Sequence, residues 1–254
     1  MVSKIALITG ATSGIGEACA HTFAQQGYKL VLVARREERL EKMSKHLQDK
    51  YAVEIKTLLA DVRDKNQLQA VLEELPEEWK AVDVLVNNAG LSQGLEPIDK
   101  GNTDDWDTMI DTNVKGLLYV TKIVSNWMVL NKKGHIINIG SIAGKEVYPN
   151  GNVYCATKHA VDALNKAMRI DLLPHGIRVT AIHPGMVETE FSVVRFKGDE
   201  ERAKEVYKGF EPLLAQDIAD AIWFAVSRPA HVNINDMLIM PTAQATGTIT
   251  HKNI

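Results

Sequence analysis

Tyr154 and Lys158 stand four residues apart in the stretch Gly151–His159. In a helix that spacing places both side chains on one face. A phenol beside an ammonium is a tunable proton donor. A free tyrosine titrates near about 10, and a neighbouring cation favours the phenolate and lowers that value. Such a group can protonate a developing alkoxide or take the proton of an alcohol. The same spacing arises by chance on amphipathic helices, so the pair gains meaning only from what the rest of the chain supplies.

The elements that would position the pair are legible as alternating patterns. Ile5–Ile8, Leu30–Val33, Glu54–Leu59, Val82–Val86, Ile136–Ile139, Val179–Ile182 and Met237–Met240 read as strands. Between them lie helical patterns, including a long one from Trp106 to Leu130 and one from Val153 to Leu172 closed by Pro174 and Gly176. Alternation of this kind predicts an α/β fold: a doubly wound parallel sheet of about seven strands with helices on both faces. The strands are apolar throughout rather than alternating, as expected when both sheet faces are covered. With no repeat and no break in composition, residues 1–254 read as a single domain. Two loops exceed what the fold needs, Leu91–Asp105 and a charged segment of about 186–214, and long loops in compact domains are usually lids or binding loops. The polar tail from Pro241 to Ile254 is expected to reach a partner subunit.

After the first strand comes Thr9-Gly10-Ala11-Thr12-Ser13-Gly14-Ile15-Gly16. Its glycines allow close backbone approach to a phosphate, and the helix beginning there offers unpaired N–H groups and a positive dipole end. The turn sits between the first strand and the first helix, which makes nucleotide binding the better reading and the domain Rossmann-type. At the end of the second strand stand Arg35 and Arg36, where a carboxylate would bind a ribose 2′-hydroxyl. Two guanidinium groups suit a 2′-phosphate, hence NADP rather than NAD. A solvated Arg pair on a charged helix is the competing reading, and Glu37, Glu38 and Arg39 support it.

The formal net charge of -3 offers no basic field for nucleic acid and no polybasic membrane patch. No apolar run approaches membrane-spanning length. Cys19 and Cys155 are the two cysteines, too few for a disulfide framework or a Cys-rich metal site. Met1-Val2-Ser3-Lys4-Ile5 leads straight into an apolar run with no room for a signal peptide. These features together predict a cytoplasmic protein.

In order along the chain, Thr9-Gly10-x-x-x-Gly14-Ile15-Gly16, Asp61-Val62, Asn87-Asn88-Ala89-Gly90, Asn113, Ser141, Tyr154-x-x-x-Lys158 and Pro184-Gly185 resemble the short-chain dehydrogenase/reductase family over essentially the whole length. Taken singly, Ser141 reads as a turn residue, Asn113 as a surface amide and Asp61 as a helix cap; the ordered set favours function. The resemblance implies a catalytic tetrad of Asn113, Ser141, Tyr154 and Lys158. It implies cofactor contacts from Gly10, Thr12, Ser13, Gly14, Ile15, Gly16, Asp61, Val62, Asn88, Ala89 and Gly90, and from Pro184, Gly185, Val187 and Thr189 beside the nicotinamide. Tyr154 would act as acid in reduction and base in oxidation, and Ser141 would hydrogen-bond the substrate oxygen. Lys158 would depress the tyrosine pKa and hold the nicotinamide ribose. Asn113 would anchor a water leading to Lys158. The chemistry needs no metal, and His135, His159, His183 and Cys155 read as packing or supporting residues.

Asp105–Asn113, Gly151–Tyr154, Glu190–Asp199 and Pro229–Ile234 further resemble the NADP-dependent 3-hydroxy acid dehydrogenase branch, which includes serine and allo-threonine dehydrogenases and malonic semialdehyde reductases. That branch implies a homotetramer oxidising a small 3-hydroxy acid. A small acid needs a cation, and Arg195 with Lys197 in the charged loop could close over a carboxylate. A solvated lid face accounts for the same residues equally well. Gln93 and Glu146 could line the pocket. A reductase of the same fold acting on a ketoacyl thioester, diketone or sugar is the alternative.

Overall fold

Seven apolar runs pair side by side, all in parallel, in the computed structural model, which describes residues 4–253. The reading made of Met1–Ser3, and the last residue of the tail, Ile254, lie outside the described residues. In chain order the strands are β1 (Ile5–Thr9), β2 (Lys29–Ala34), β3 (Ile55–Leu59), β4 (Val84–Asn87), β5 (Gly134–Ile139), β6 (Ile177–Pro184), β7 (Val187–Glu188), β8 (Leu213–Leu214) and β9 (Asp236–Ile239). The helices are α1 (Gly14–Gln25), α2 (Glu37–Tyr51), α3 (Lys65–Glu73), α4 (Thr103–Ile110), α5 (Leu117–Asn131), α6 (Asn152–Leu172), α7 (Phe191–Arg195), α8 (Glu200–Tyr207) and α9 (Ala215–Val226). The large sheet runs β3-β2-β1-β4-β5-β6-β9, and β7 and β8 form a separate two-stranded ribbon.

Strand side chains alternate between two cores. Ala6, Ile8, Leu30, Leu32, Val86 and Ile137 pack with α1, α2 and α9 on one face. Leu7, Val31, Val33, Leu85, Ile136 and Val179 pack with α3, α5 and α6 on the other. Because both faces are covered, central strands can be apolar at every position, and β1 is buried along its whole length. The chain moves outward from β1 through β2 to β3, then crosses to β4 on β1's other side. That reversal opens a crevice beyond the carboxyl ends of the strands, where ligands bind in such sheets.

The helix expected from Trp106 to Leu130 is interrupted. α4 ends at Ile110, and Asp111–Gly116 forms a single π-helical stretch before α5 resumes. Gly116 faces β3's following loop so closely that a Cβ there would come within 2.7 Å of Val62 Cγ2. The extra residue per turn swings Asn113 inward, and it is buried. The tail lies against its own chain at several points. Gly247 N donates to Glu146 Oε2, Lys252 Nζ to the Val206 carbonyl and Asn253 N to the Gly209 carbonyl.

Phe23 of α1 is fully buried and meets Tyr28 and Trp223 edge to face at 5.1 and 5.9 Å. It joins α1 to α9 far from the crevice. Phe23→Ala is expected to lower stability by about 3–5 kcal/mol, since truncating a buried ring leaves a cavity. Urea unfolding checks this; a loss under about 1 kcal/mol would mean that the site collapses around the smaller side chain.

Candidate active site

The carboxyl ends of β1, β2, β4, β5 and β6 open into a cleft of about 290 Å³. Gly10, Thr12, Ser13, Gly14 and Ile15 line one wall, with Arg35, Arg36, Asp61 and Val62 beyond β2 and β3. Asn88, Ala89 and Gly90 form the floor, and Ser141, Tyr154 and Lys158 close the far end under Pro184, Gly185, Val187 and Thr189. Gly16, Asn113 and Arg195, also expected at the site, are not among its lining residues.

Gly16 has a packing role. A Cβ there would strike the Gly10 carbonyl and approach Asn88 Nδ2, so the glycine lets α1 sit against its own entry loop. Asn88 donates from Nδ2 to the Thr9 and Gly10 carbonyls, fixing that loop from β4's side. Ser13 precedes α1 without capping it through its side chain. The first amides of α1 therefore remain available where the glycine loop faces the cleft, and they can hold an anion. Gly10 and Gly14 adopt left-handed φ values of 63° and 54°. A Cβ at Gly14 would press on Thr189 Cγ2 at 3.1 Å, so the loop leaves no space beyond its own backbone. Free amides, a glycine cradle and adjacent arginines fit a dinucleotide carrying phosphates.

The two arginines are not equivalent. Arg36 donates from Nε and Nη2 to Thr12 and from Nη2 to Ser13 Oγ, and its Nη1 reaches Glu190 at 2.8 Å. Arg35 is more than half exposed, with Asp61 3.9 Å away. Asp61 itself is held by Arg63, whose Nε and Nη2 donate to its carboxylate. The cap of α3 is Asp64, which accepts from Asn66 N and Gln67 N.

At the other end, α6 brings Tyr154 and Lys158 into its first two turns, both buried. Lys158 Nζ donates to the Ile139 carbonyl at 2.9 Å, and burial pulls its pKa down to about 8. Sequence reasoning expects this ammonium to depress the tyrosine pKa. The folded chain differs: burial pushes the Tyr154 phenol up, with the neighbouring Tyr148 adding to the rise. The opposing influences are the Arg195 cation and the neighbouring Ser141 hydroxyl. Ser141 sits where β5 ends, and its Oγ accepts from Ala143 N in the 3-10 turn Ile142–Gly144. Among the described residues Asn113 makes no direct side-chain hydrogen bond with Lys158, and both side chains border the space beside Gly90. Its amide accepts from Leu91 N and donates to the Leu91 carbonyl and Thr157 Oγ1, tying the loop after β4 to α6.

Arg195 reaches the tyrosine from the lid. Its guanidinium lies 5.2 Å from the Tyr154 ring centre and 5.3 Å from that of Phe191. Nη2 donates to Tyr148 Oη at 2.7 Å and Nε to Ser92 Oγ at 3.0 Å. Lys197 does not accompany it; its ammonium pairs with Asp105 at 2.9 Å, which fastens the lid to the first turn of α4. Gly94 N donates to the Arg195 carbonyl in the same closure. Neither Gln93 nor Glu146 lines the cleft: Gln93 faces a small separate hollow beside Trp106, and Glu146 holds the tail. Tyr148, Ser92, Phe191 and Glu190 were missed by sequence reasoning. A weak signal existed for Tyr148, since Pro149-Asn150-Gly151 is a turn sequence and would set the aromatic ring beside the helix carrying Tyr154.

The histidines and Cys155 behave as supporting residues. His135 Nε2 meets Thr180 Oγ1, and His159 Nδ1 meets the Cys155 carbonyl. His183 lies between the Ser141 carbonyl and Asp236. Lys145 bridges Asp162 and Asp236 beside it, so these carboxylates already hold a cation. Burial pushes the Cys155 thiol up, away from a reactive thiolate.

The arrangement recurs in characterised proteins. The chain is 46% identical to an NADP-dependent 3-hydroxy acid dehydrogenase, YdfG, of Salmonella typhi, over 98% of this chain and 100% of that protein. It is 45% identical to sulfoacetaldehyde reductase 2 of Chromohalobacter salexigens, over 96% of each. Among solved structures, the closed form of serine dehydrogenase complexed with NADP+ superposes with a TM-score of 0.91 at 45% identity, covering 98% of this chain and 100% of that one. The family model for short chain dehydrogenases matches residues 4–200, the span that carries the glycine loop, the crossover crevice and the tyrosine–lysine helix. On that match and those full-length identities, this chain is a member of the short chain dehydrogenase family.

Proposed function

We propose that this chain is an NADP-dependent oxidoreductase that transfers a hydride between nicotinamide and a small 3-hydroxy acid of the serine, allo-threonine or 3-hydroxypropionate type. The observation that carries the substrate class is Arg195, half-buried beside Tyr154, braced by Tyr148 and Ser92, and without an ion-pair partner among the described residues. A guanidinium positioned this way suits the carboxylate of a small acid whose hydroxyl reaches the tyrosine. A bulky neutral ketone would leave that cation without a counterion. The NADP dependence of the YdfG relative and the NADP+ in the serine dehydrogenase structure support the cofactor.

Gly10, Thr12, Ser13, Gly14 and Ile15 would hold the diphosphate side, Arg35 and Arg36 the 2′-phosphate, and Asp61 and Val62 the adenine side. Asn88, Ala89, Gly90, Pro184, Gly185, Val187 and Thr189 would border the remainder, with Gly16 acting through the shape of the loop. A bound nicotinamide supplies or accepts the hydride. Tyr154 gives its phenolic proton to the carbonyl oxygen in reduction and recovers it from the hydroxyl in oxidation. Its upward-shifted pKa keeps the phenol protonated at neutral pH, the form that reduction needs. Ser141 donates to the same substrate oxygen as charge develops there. Lys158 keeps a positive charge behind the phenol, and Asn113 holds the backbone after β4 that shapes this end of the cleft.

Both cysteines are buried free thiols, consistent with a cytoplasmic protein. Among the described residues no helix is long and apolar enough to cross a membrane. Leu118 and Leu130 on α5, Ile170 near the end of α6 and Leu173 just beyond it are exposed, which supports contact between copies, as the homotetramer reading requires.

The sulfoacetaldehyde reductase likeness favours a second reading, because Arg195 recognises charge and a sulfonate offers the same anionic end. Initial rates with both cofactors across L-serine, D-serine, L-allo-threonine, 3-hydroxypropionate, a hydroxyalkyl sulfonate and a bulky neutral alcohol separate these readings. Activity confined to the neutral alcohol would sink both.

Three variants probe the site. Tyr154→Phe is expected to lose about 10²–10⁴-fold in turnover, the range of acid/base catalysis, while NADPH binding followed by fluorescence persists. Robust turnover in that variant would exclude the phenol as the acid. Arg35→Ala should weaken NADPH by about tenfold or more with little change for NADH, as expected for a charge-assisted hydrogen bond. An equal loss for both cofactors would contradict the 2′-phosphate assignment. Arg195→Met should lower kcat/KM for the acids by about 10–100-fold and spare a neutral alcohol, since it removes a charged hydrogen bond and keeps bulk. Parallel losses on both substrates would assign Arg195 to lid structure instead.

A further inference from the structure

The lid is fastened on two sides, and the fasteners differ. On the substrate side, Lys197–Asp105 holds it to the first turn of α4, and the backbone bond from Gly94 to Arg195 holds it to the loop after β4. On the opposite side, the side-chain bonds to the start of α2 run through Glu190, the residue just before α7. Its Oε2 accepts from Arg36 Nη1 at 2.8 Å, and its Oε1 accepts from Arg39 Nη1 at 2.6 Å. Glu190 and Arg36 both line the cleft, so the bond between them joins the lid root to the start of α2 at the cleft itself. Arg36 is meanwhile pinned to Thr12 and Ser13, and a pull on the lid is therefore transmitted to the glycine loop. Arg39 is not among the cleft's lining residues; its guanidinium serves Glu190. The two arginines also hold the Glu190 carboxyl below its usual range, Arg36 most strongly, which keeps it ionised at neutral pH.

The charge balance around the adenosine end explains why an acid is tolerated here. Asp61 is neutralised by Arg63. Arg35, Arg36 and Arg39 set against Glu190 leave two positive charges, which match the roughly −1.5 to −2 of a phosphate monoester. Glu190 thus removes surplus positive charge without abolishing the attraction for a 2′-phosphate.

We infer that Glu190 is a clasp residue: by binding Arg36 and Arg39 it holds the lid shut over the adenosine half of the cleft and sets how fast the cofactor leaves. The inference rests on the NADP reading above. Thr189, which immediately precedes it, stands beside Gly14, where an added Cβ would lie 3.1 Å from its Cγ2, so opening the clasp frees the lid root from the phosphate loop.

The test uses Glu190→Gln, Arg39→Gln and the double variant, each compared with the wild-type full chain. NADPH dissociation is followed by stopped-flow fluorescence at low and high salt. Hydrogen exchange of residues 187–199 is measured in the cofactor-free protein. Exposed ion pairs are individually modest, so each single variant is expected to speed NADPH release by about three- to tenfold at low salt. The double variant should match Glu190→Gln, because Arg39→Gln removes only the Oε1 half of a clasp that Glu190→Gln loses whole. Release from wild type should accelerate with salt more than release from the variants, since screening weakens the pair. Exchange over 187–199 should rise in Glu190→Gln while distant segments stay unchanged. Unaltered release rates and exchange in both single variants would overturn the clasp with the NADP reading intact. Additive effects in the double variant would overturn it as well. Failure of the wild-type chain to bind NADPH would instead overturn the NADP reading, and the clasp with it.

Discussion

A positive charge almost without water governs the carboxyl edge of the sheet. Lys158 is 6% exposed, and a buried ammonium is tolerated only where nearby groups replace its hydration. The Ile139 carbonyl at the end of β5 does part of this, and the rest of the neighbourhood is built to let backbone come close. A Cβ at Gly144 would collide with the Lys158 carbonyl, and one at Gly90 would lie 3.6 Å from Nζ. Small residues here keep polar backbone near the charge. The π-helical stretch at Asp111–Gly116 turns Asn113 inward to hold Leu91, and this fixes the loop that follows Gly90. The costs of that burial show in the pKa of Lys158, pulled to about 8, close enough to neutrality for its charge to be sensitive to what binds beside it.

The tyrosine pKa follows from the same burial. Its phenol is pushed up because ionising it in a dry site is unfavourable, and the cation that most opposes this is Arg195 from the lid. One guanidinium therefore acts on the acid and, in the proposed function, on the substrate's anionic end. Tyr148 braces it, and Gly151 makes room, since a Cβ there would enter the Tyr148 ring. The loop that carries Arg195 and the Tyr154 phenol are consequently linked through one side chain. At the opposite end of the cleft Arg36 links the lid to the glycine loop, so both ends of the lid are tied by arginines with different duties.

The layout of strands, crossovers and glycine loop was legible from residue types, because burial on two faces demands continuous apolar runs and close backbone approach demands glycine at Gly10 and Gly14. The Tyr154–Lys158 spacing was equally legible, since helical geometry alone puts those side chains on one face. The break in the helix before α5 was not. Its pattern is apolar and periodic on both sides, and a π turn adds one residue without a marker residue of its own. Gly16 was readable as part of the loop but not as a packing glycine, because its constraint comes from the Gly10 carbonyl and Asn88.

By itself the sequence determined the sheet, the glycine loop and the placing of Tyr154 and Lys158 on one helix face, all properties set by neighbours a few positions apart or by uniform burial. The tertiary structure decided how the long charged side chains divide their duties. Arg195 turns to Ser92, 103 positions away, while Lys197, two residues on, turns to Asp105. Arg36 is committed to Glu190 across 154 positions, while Arg35 beside it stays largely free. A flexible cation carries no local signal of its partner. Its direction is fixed only when the fold brings a carboxylate, a phenol or a carbonyl within hydrogen-bond reach.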